Sequence, residues 1–125
     1  MKNESYNVMD PAQVAAGDGV PHTTEIHAIW GPDNTNGGAP ASYFPGGINA
    51  AIVPVMQGYW TSFIRTFNPN THRAAGSPIW EPIGTEKTGE NRVLFQTNAT
   101  AMETVTPDMD TKCAFFTGIA LAIQQ

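Results

Sequence analysis

The chain has 125 residues, a formal net charge of −5 at pH 7 and charged side chains at 14% of its positions. Its length suits one domain and is too short for two. Its six lysines and arginines form no cluster, which argues against nucleic acid and anionic membranes as partners, because both need concentrated positive charge. The one cysteine, Cys113, excludes an internal disulfide, and no apolar run approaches the roughly 18 residues of a transmembrane helix.

Turn-forming residues divide the first third of the chain into short elements. Ser5–Asp10 is predicted to be the tail of a strand that Pro11 stops, and Gly17–Gly19 is a turn-forming cluster. His22 follows that turn directly, and Glu25–Trp30 is predicted to be a short helix or strand. Residues 31–47 contain five glycines and three prolines, which predicts a long loop.

A long helix is predicted from residue 48 onwards. Apolar residues recur at the three-four spacing of one helical face, namely at Ile48, Ala51, Ile52, Val55, Met56, Tyr59, Phe63 and Phe67. Asn49 is predicted to cap the start of this helix. Pro54 removes a backbone donor, so we expect either a kink there or a regular helix that begins near Pro54. Asn68–Asn70 is expected to end the helix, and Tyr59, Trp60 and Phe63 are predicted to be core residues.

The last third of the chain contains a predicted strand and a second helix. Arg92–Gln96 has the composition of a short strand. Thr106 followed by Pro107 is a typical helix start, and an apolar face follows at Met109, Cys113, Phe116, Ile119, Ala120 and Ile123. Cys113 is therefore predicted to be a small core residue. Other apolar residues, Trp60, Ile64, Phe115 and Leu121, lie off the two main faces and indicate a partner surface outside the chain.

Five segments occur in a fixed order along the chain, namely GVPHTTEIHAIWG, MQGYWTSFIRTFNPN, Trp80-Glu81-Pro82, RVLFQ and CAFF. Together they resemble the C-terminal end of the type-B carboxylesterases, a family that includes cholinesterases and fungal lipases. Members of this family typically show a Gly-x-x-His-x-x-Glu turn, a Tyr-Trp-x-x-Phe helix that ends in Asn-Pro-Asn or Asp-Pro-Asn, and a late Cys-x-Phe-Trp. The resemblance covers most of residues 17–117, with Phe116 in place of the more usual tryptophan.

The resemblance implies an α/β fold in which residues 1–125 form the C-terminal end of an α/β-hydrolase domain. This end is expected to be loop-rich, with two main helices and short strand remnants. His22 matches the histidine of the catalytic triad, and Glu25 matches an acidic residue that shapes the turn. The chain order of the triad in this fold is serine, acid, histidine, so the serine and the acid are expected in an earlier part of the parent protein.

The chain by itself is expected to have no catalytic activity. None of its serines, Ser5, Ser42, Ser62 and Ser77, lies in a G-x-S-x-G motif. The expected partners are the missing N-terminal part of the hydrolase or a second copy of the chain, the substrate of the parent is an ester, and no cofactor is expected. The segment MKNESYNVMD lacks the apolar core of a signal peptide although members of the family are often secreted, so localisation stays open.

Two other functions stay open at the sequence level. One is a truncated, non-catalytic homologue that binds a partner through uncovered apolar surface. The other is a small metal-dependent enzyme that uses His22, Glu25 and His27, although their spacing departs from the H-E-x-x-H pattern. His72 is predicted to be a surface residue. N-x-[ST] triplets at Asn3 and Asn98 would permit N-glycosylation of a secreted parent.

Overall fold

The computed structural model describes residues 23–82 and 91–120. These residues contain three α-helices, α1 (Thr24–Trp30), α2 (Ile52–Thr66) and α3 (Pro107–Ala120), and two strands, β1 (Asn91–Leu94) and β2 (Ala101–Thr104). Their order along the chain is α1, α2, β1, β2, α3. The α/β class agrees with the prediction, and α1 confirms the helical alternative for Glu25–Trp30, beside the two main helices that were expected. The predicted strand Ser5–Asp10 and the turn Gly17–Gly19 lie outside the described residues, as do Leu121 and Ile123.

Helix α2 begins at Ile52, so Pro54 occupies the third helical position. The backbone N–H groups of a first turn have no partner within the helix, and the missing N–H of Pro54 therefore costs no hydrogen bond. The second of the two expectations for Pro54, a regular helix that begins near it, is confirmed. The helix ends at Thr66, and the C-cap residue Phe67 has a left-handed backbone (φ 57°) and donates its N–H to the carbonyl of Phe63.

The prediction that Asn49 caps this helix is wrong. Ala51 occupies the N-cap position, and no side chain caps the first turn. Asn49 is instead buried, where its Nδ2 lies 3.3 Å from Ser42 Oγ and its Oδ1 accepts a hydrogen bond of 3.1 Å from Thr97 Oγ1. The asparagine thus joins three distant parts of the chain, because a buried amide needs partners on both its oxygen and its nitrogen.

The hydrophobic core lies between α1 and the first half of α2. Its buried members are Ala28, Tyr43, Ile52 and Met56, and Ile29, Val53, Val55, Trp60 and Phe95 pack against them. The 3₁₀ turn Ala41–Tyr43 brings Tyr43 into this core from the long loop. The loop predicted at residues 31–47 is therefore folded onto the helices, with a second 3₁₀ turn at Pro32–Asn34.

Strands β1 and β2 form an antiparallel pair in which Arg92 stands opposite Glu103. Strand β1 is confirmed, although it ends at Leu94 instead of Gln96. Strand β2 was not predicted, since Ala101–Thr104 lacks a run of the β-branched and aromatic residues that favour strands. It forms through cross-strand pairing, to which the ion pair between Arg92 and Glu103 contributes.

Helix α3 starts as predicted, because Thr106 Oγ1 accepts the N–H of Met109 at 3.4 Å and the Thr106 carbonyl accepts the N–H of Asp110 at 3.0 Å. The core position predicted for Cys113 is wrong, since the thiol side chain is exposed. No residue of α3 is buried against the rest of the described chain. None of the helices in the described residues is both long enough and apolar enough to cross a membrane.

Candidate functional site

His22, the predicted triad residue, lies outside the described residues, and the structure begins with the residue that follows it. Thr23 is the N-cap of α1 and has a left-handed backbone, with φ 71° and ψ 5°. A β-branched residue with positive φ is a genuine outlier, which costs about 1–3 kcal/mol and is found most often at functional sites. The described chain thus shows a strained position directly after the candidate catalytic histidine.

Glu25 lies in the first turn of α1 and its side chain is exposed. A carboxylate near a helix N-terminus is stabilised by the partial positive charge of the unpaired N–H groups. Burial raises the pKa of Tyr43 to about 12, and the negative charge of Glu25 adds a smaller contribution to the same increase. Tyr43 therefore keeps its proton to a higher pH than an ordinary tyrosine does.

His27 links α1 to the loop of residues 31–47 through a hydrogen bond. Its Nδ1 lies 3.2 Å from Thr35 Oγ1, and the Thr35 hydroxyl itself donates to the carbonyl of Pro32 at 3.0 Å. Because the hydroxyl proton is used in that bond, the arrangement favours the tautomer of His27 that carries its proton on Nδ1. The imidazole ring also packs against Tyr43 at a centroid distance of 5.7 Å.

The helical position of Glu25 and His27 bears on the metal hypothesis. Side chains two residues apart on an α-helix do not face each other, so these two are poorly placed to share an ion. Within residues 23–82 and 91–120, no group of three or more His, Cys, Asp or Glu side chains is placed to hold a metal ion. His22, the third residue of the proposed metal set, lies outside these residues.

Further along the chain, four aromatic rings pack together beside α2. Tyr59 and Trp80 meet edge to face at 5.4 Å, and Phe95 lies 5.7 Å from Tyr59, 5.6 Å from Trp60 and 5.6 Å from Trp80. Tyr59 is fully buried and its hydroxyl donates to the carbonyl of Pro78. The core prediction is thus confirmed for Tyr59. It is wrong for Phe63, which is 54% exposed because no described segment covers that side of the helix.

Three of these rings, Tyr59, Trp60 and Trp80, line an open cleft of about 710 Å³, which we call the aromatic cleft. Its lining consists of Tyr59, Trp60, Phe63, Phe67, Asn68, Pro69, Asn70, Trp80, Glu81 and Pro82. The carboxylate of Glu81 lies 3.5 Å from the Nδ2 of Asn91, which occupies one of its oxygens. The described lining offers apolar contact area and no pairing of a nucleophile with a base.

The Asn-Pro-Asn segment that ends α2 holds Trp80 in this cleft. Asn70 Nδ2 donates to the carbonyl of Trp80 at 2.9 Å, and Asn70 Oδ1 accepts the N–H of Trp80 at 2.7 Å. One carboxamide therefore pairs with both backbone groups of a single residue, as a neighbouring strand would. The sequence motif was recognised as a helix stop, but this second role was missed because the partner lies ten residues away.

Two of the described serines, Ser42 and Ser62, hold loops in place through hydrogen bonds. Ser62 is buried and its Oγ donates to the carbonyl of Asn68 at 2.6 Å, while it accepts the backbone N–H of His72 at 2.9 Å. The side chain of His72 is exposed, as predicted. Ser42 Oγ lies 3.3 Å from Asn49 Nδ2. Ser42 and Ser62 thus contribute hydrogen bonds that hold loops in place.

Two known proteins are similar to this chain. The chain superposes on EstA of Aspergillus niger with a TM-score of 0.70 and 39% sequence identity, over 92% of this chain and 21% of EstA. It is 28% identical over 88 residues to Secreted lipase 4 of Gibberella zeae, which is 70% of this chain and 14% of the lipase. No family model matches the chain.

These likenesses confirm the resemblance to the C-terminal portion of carboxylesterases and lipases. The chain spans less than a quarter of the length of either relative.

Proposed function

We propose that residues 1–125 form the C-terminal end of an α/β-hydrolase domain in a carboxylic ester hydrolase, and that His22 is the general base of its catalytic triad. The likeness to EstA carries this proposal, because it combines sequence identity with a shared fold over almost the whole chain. Within the sequence, His22 occupies the histidine position of the Gly-x-x-His-x-x-Glu turn that starts at Gly19.

The chemistry of ester hydrolysis explains why a histidine is needed at this position. A serine hydroxyl is a weak nucleophile until an imidazole removes its proton as the bond to the ester carbonyl forms. The same imidazole then returns the proton to the departing alcohol, and an acid residue holds the ring in the required tautomer. His22 is assigned the proton transfers, and the serine and the acid belong to the rest of the hydrolase.

The local structure supports this role for the turn. Thr23 has a strained backbone immediately before α1, and backbone strain of this kind persists where the surroundings hold a residue in one geometry. The bond between His27 and Thr35 fastens α1 to the loop that follows it, so the segment after His22 is held from two sides. A general base needs such fixed placement, because proton transfer requires a heavy-atom distance of about 2.6–3.2 Å.

The relatives also bear on the class of substrate and on location. A lipase acts on lipid esters, and the name of the Gibberella protein states that it is secreted. We extend both properties to this chain as part of the proposal: an ester substrate for the complete hydrolase, and a route through the secretory pathway.

A chimera with EstA tests the proposal. Residues 1–125 replace the matching segment of EstA, which supplies the remainder of the hydrolase fold. We expect the chimera to hydrolyse a chromogenic short-chain ester, and His22→Ala to lower kcat by several orders of magnitude with little change in KM, since the interaction lost belongs to the transition state. A His22→Ala chimera with an unchanged rate would remove the residue from the triad.

Two variants accompany His22→Ala in the same chimera. His72→Ala removes an exposed histidine that lies elsewhere in the fold, and we expect it to retain most of the activity. Glu25→Gln is expected to cause a smaller loss than His22→Ala, because its role is in the shape of the turn. Equal losses at Glu25 and His22 would contradict these assigned roles. The chain alone, which has no G-x-S-x-G motif, should show no hydrolysis above a buffer blank.

A second candidate function is supported by the aromatic cleft and by exposed apolar side chains, Phe63 and Phe67 among them. In this alternative the chain is a non-catalytic homologue that binds a partner through that surface. The two functions differ in the chimera experiment, because a homologue that has lost its catalytic role would yield a folded but inactive chimera. Circular dichroism and sedimentation of the chimera show whether it is folded.

A further inference from the structure

The triplet Asn98-Ala99-Thr100 is a potential N-glycosylation sequence that ester hydrolysis does not use. The structure places it in the connection between β1 and β2, where residues 97–99 form a turn. Such connections lie at the surface and have few contacts, which makes them suitable for bulky modifications. The position of the triplet, more than its sequence, makes it a candidate.

The side chain of Asn98 is exposed, and its backbone is left-handed with φ 60°. Asparagine adopts this conformation more readily than most residues, so the turn accommodates it with little strain. The hydrogen bonds that close the turn do not involve the side-chain amide of Asn98. Both the N–H of Ala99 and the hydroxyl of Thr100 bond the carbonyl of Gln96, each at 3.0 Å.

Thr97, the residue before Asn98, anchors the turn to the protein interior. Thr97 is buried, and its hydroxyl donates to Asn49 Oδ1 in the interior. Since Thr97 points inward while Asn98 is exposed, the turn presents Asn98 at a fixed place on the surface. Asn98 is also absent from the lining of the aromatic cleft.

We propose that Asn98 is an N-glycosylation site. In the transfer, Asn98 Nδ2 forms a bond to the anomeric carbon of a lipid-diphosphate-linked oligosaccharide. The bond between that carbon and the diphosphate oxygen breaks, the lipid diphosphate leaves, and the amide gives up one proton. The natural occurrence of this reaction rests on the proposed secretory route, because the lipid-linked donor faces the lumen of that pathway.

The test supplies the secretory route itself and is therefore independent of ester hydrolysis. Residues 1–125 carrying Asn3→Gln, which removes the other triplet, are translated behind a cleavable secretion signal in the presence of microsomes. We expect the translocated chain to gain one glycan that peptide N-glycosidase removes. Absence of that glycan would overturn the proposal while leaving the proposed hydrolase function untouched.

Three variants assign the glycan to Asn98. Asn98→Asp tolerates the left-handed backbone but removes the acceptor amide, and Thr100→Ala removes the hydroxyl of the triplet; both should abolish the glycan. Thr100→Ser keeps the triplet and should retain it. A glycan that persists in Asn98→Asp would place the modification elsewhere and contradict the proposal.

A second measurement tests the exposed position in the folded protein. The EstA chimera is secreted from a eukaryotic host and treated with peptide N-glycosidase without denaturant, and peptide mass spectrometry then follows the fragment that contains Asn98. We expect the glycan to be removed from the native protein, leaving aspartate at that position. Removal that requires denaturation would contradict the exposed position of Asn98 in the folded protein, and a fragment that carries no glycan at Asn98 would contradict the proposal itself.

Discussion

Backbone strain at Thr23 can be tested by a single substitution to glycine. Glycine adopts φ near 71° without the steric penalty of a Cβ atom, and that penalty is about 1–2 kcal/mol for an L-residue in the left-handed region. We expect Thr23→Gly to raise the free energy of unfolding of the EstA chimera by about 1 kcal/mol, measured by urea denaturation.

The matched control for this prediction is Thr61→Gly, the same chemical change at an exposed position inside α2. There the backbone is helical, and glycine is expected to lower stability by a few tenths of a kcal/mol because of its weaker helix propensity. If both substitutions lower stability to the same extent, Thr23 does not hold a strained conformation.

At the scale of the elements, Gly58 shows why α2 packs closely against the segment that follows it. A Cβ atom at this position would lie 2.8 Å from the backbone nitrogen of Ala74 and 3.4 Å from the Cα of Arg73. Backbone atoms cannot move aside as the end of a flexible side chain can. The close approach of residues 73–74 to the helix therefore depends on the absence of a side chain at Gly58.

This packing reverses the effect that helix propensity alone would predict. In an exposed helix, replacing glycine with alanine stabilises by about 1 kcal/mol. We expect Gly58→Ala to destabilise the chimera, because the helix and the segment must separate. Gly118→Ala in α3, where a Cβ meets no atom within 4 Å, should stabilise it. Thermal unfolding of the two variants gives the comparison, and stabilisation by Gly58→Ala would contradict the close contact.

At the scale of the whole molecule, the described chain leaves much apolar surface uncovered. The largest exposures include Phe67 at 85%, Ile64 at 68% and Phe116 at 62%. Ile64 lies in α2, Phe67 is the C-cap of α2 and Phe116 lies in α3. The sequence had indicated such uncovered surface through the off-face residue Ile64. Each Å² of buried apolar surface contributes about 25 cal/mol, while the net free energy of unfolding of a protein is only about 5–15 kcal/mol. Helix faces that stay uncovered therefore remove a large part of the available stability.

We therefore expect isolated residues 1–125 to be oligomeric, aggregated or molten, with strong binding of a hydrophobic dye and no cooperative thermal transition. Addition of the N-terminal part of the hydrolase should restore a cooperative transition. Sedimentation, dye fluorescence and calorimetry provide the measurements. A monomer with a sharp transition and dispersed amide resonances would contradict this expectation and favour a self-sufficient domain.

The sequence by itself determined the features that depend on local chemistry. Thr106 and Pro107 predicted the start of α3, because a hydroxyl that accepts an N–H and a residue that lacks one both suit a first turn. The three-four spacing predicted α2. The ordered motifs also indicated the relation to ester hydrolases that the comparisons confirm. His22 was singled out in this way, and its catalytic role stays a prediction.

The tertiary structure decided what depends on partners distant in the sequence. Asn49 and Cys113 show this, since one looked like a helix cap and is buried, while the other lies on an apolar helix face and is exposed. Strand β2 likewise exists because β1 pairs with it, despite its weak strand propensity. Burial and pairing are properties of two surfaces that meet, and a local sequence pattern specifies at most one of them.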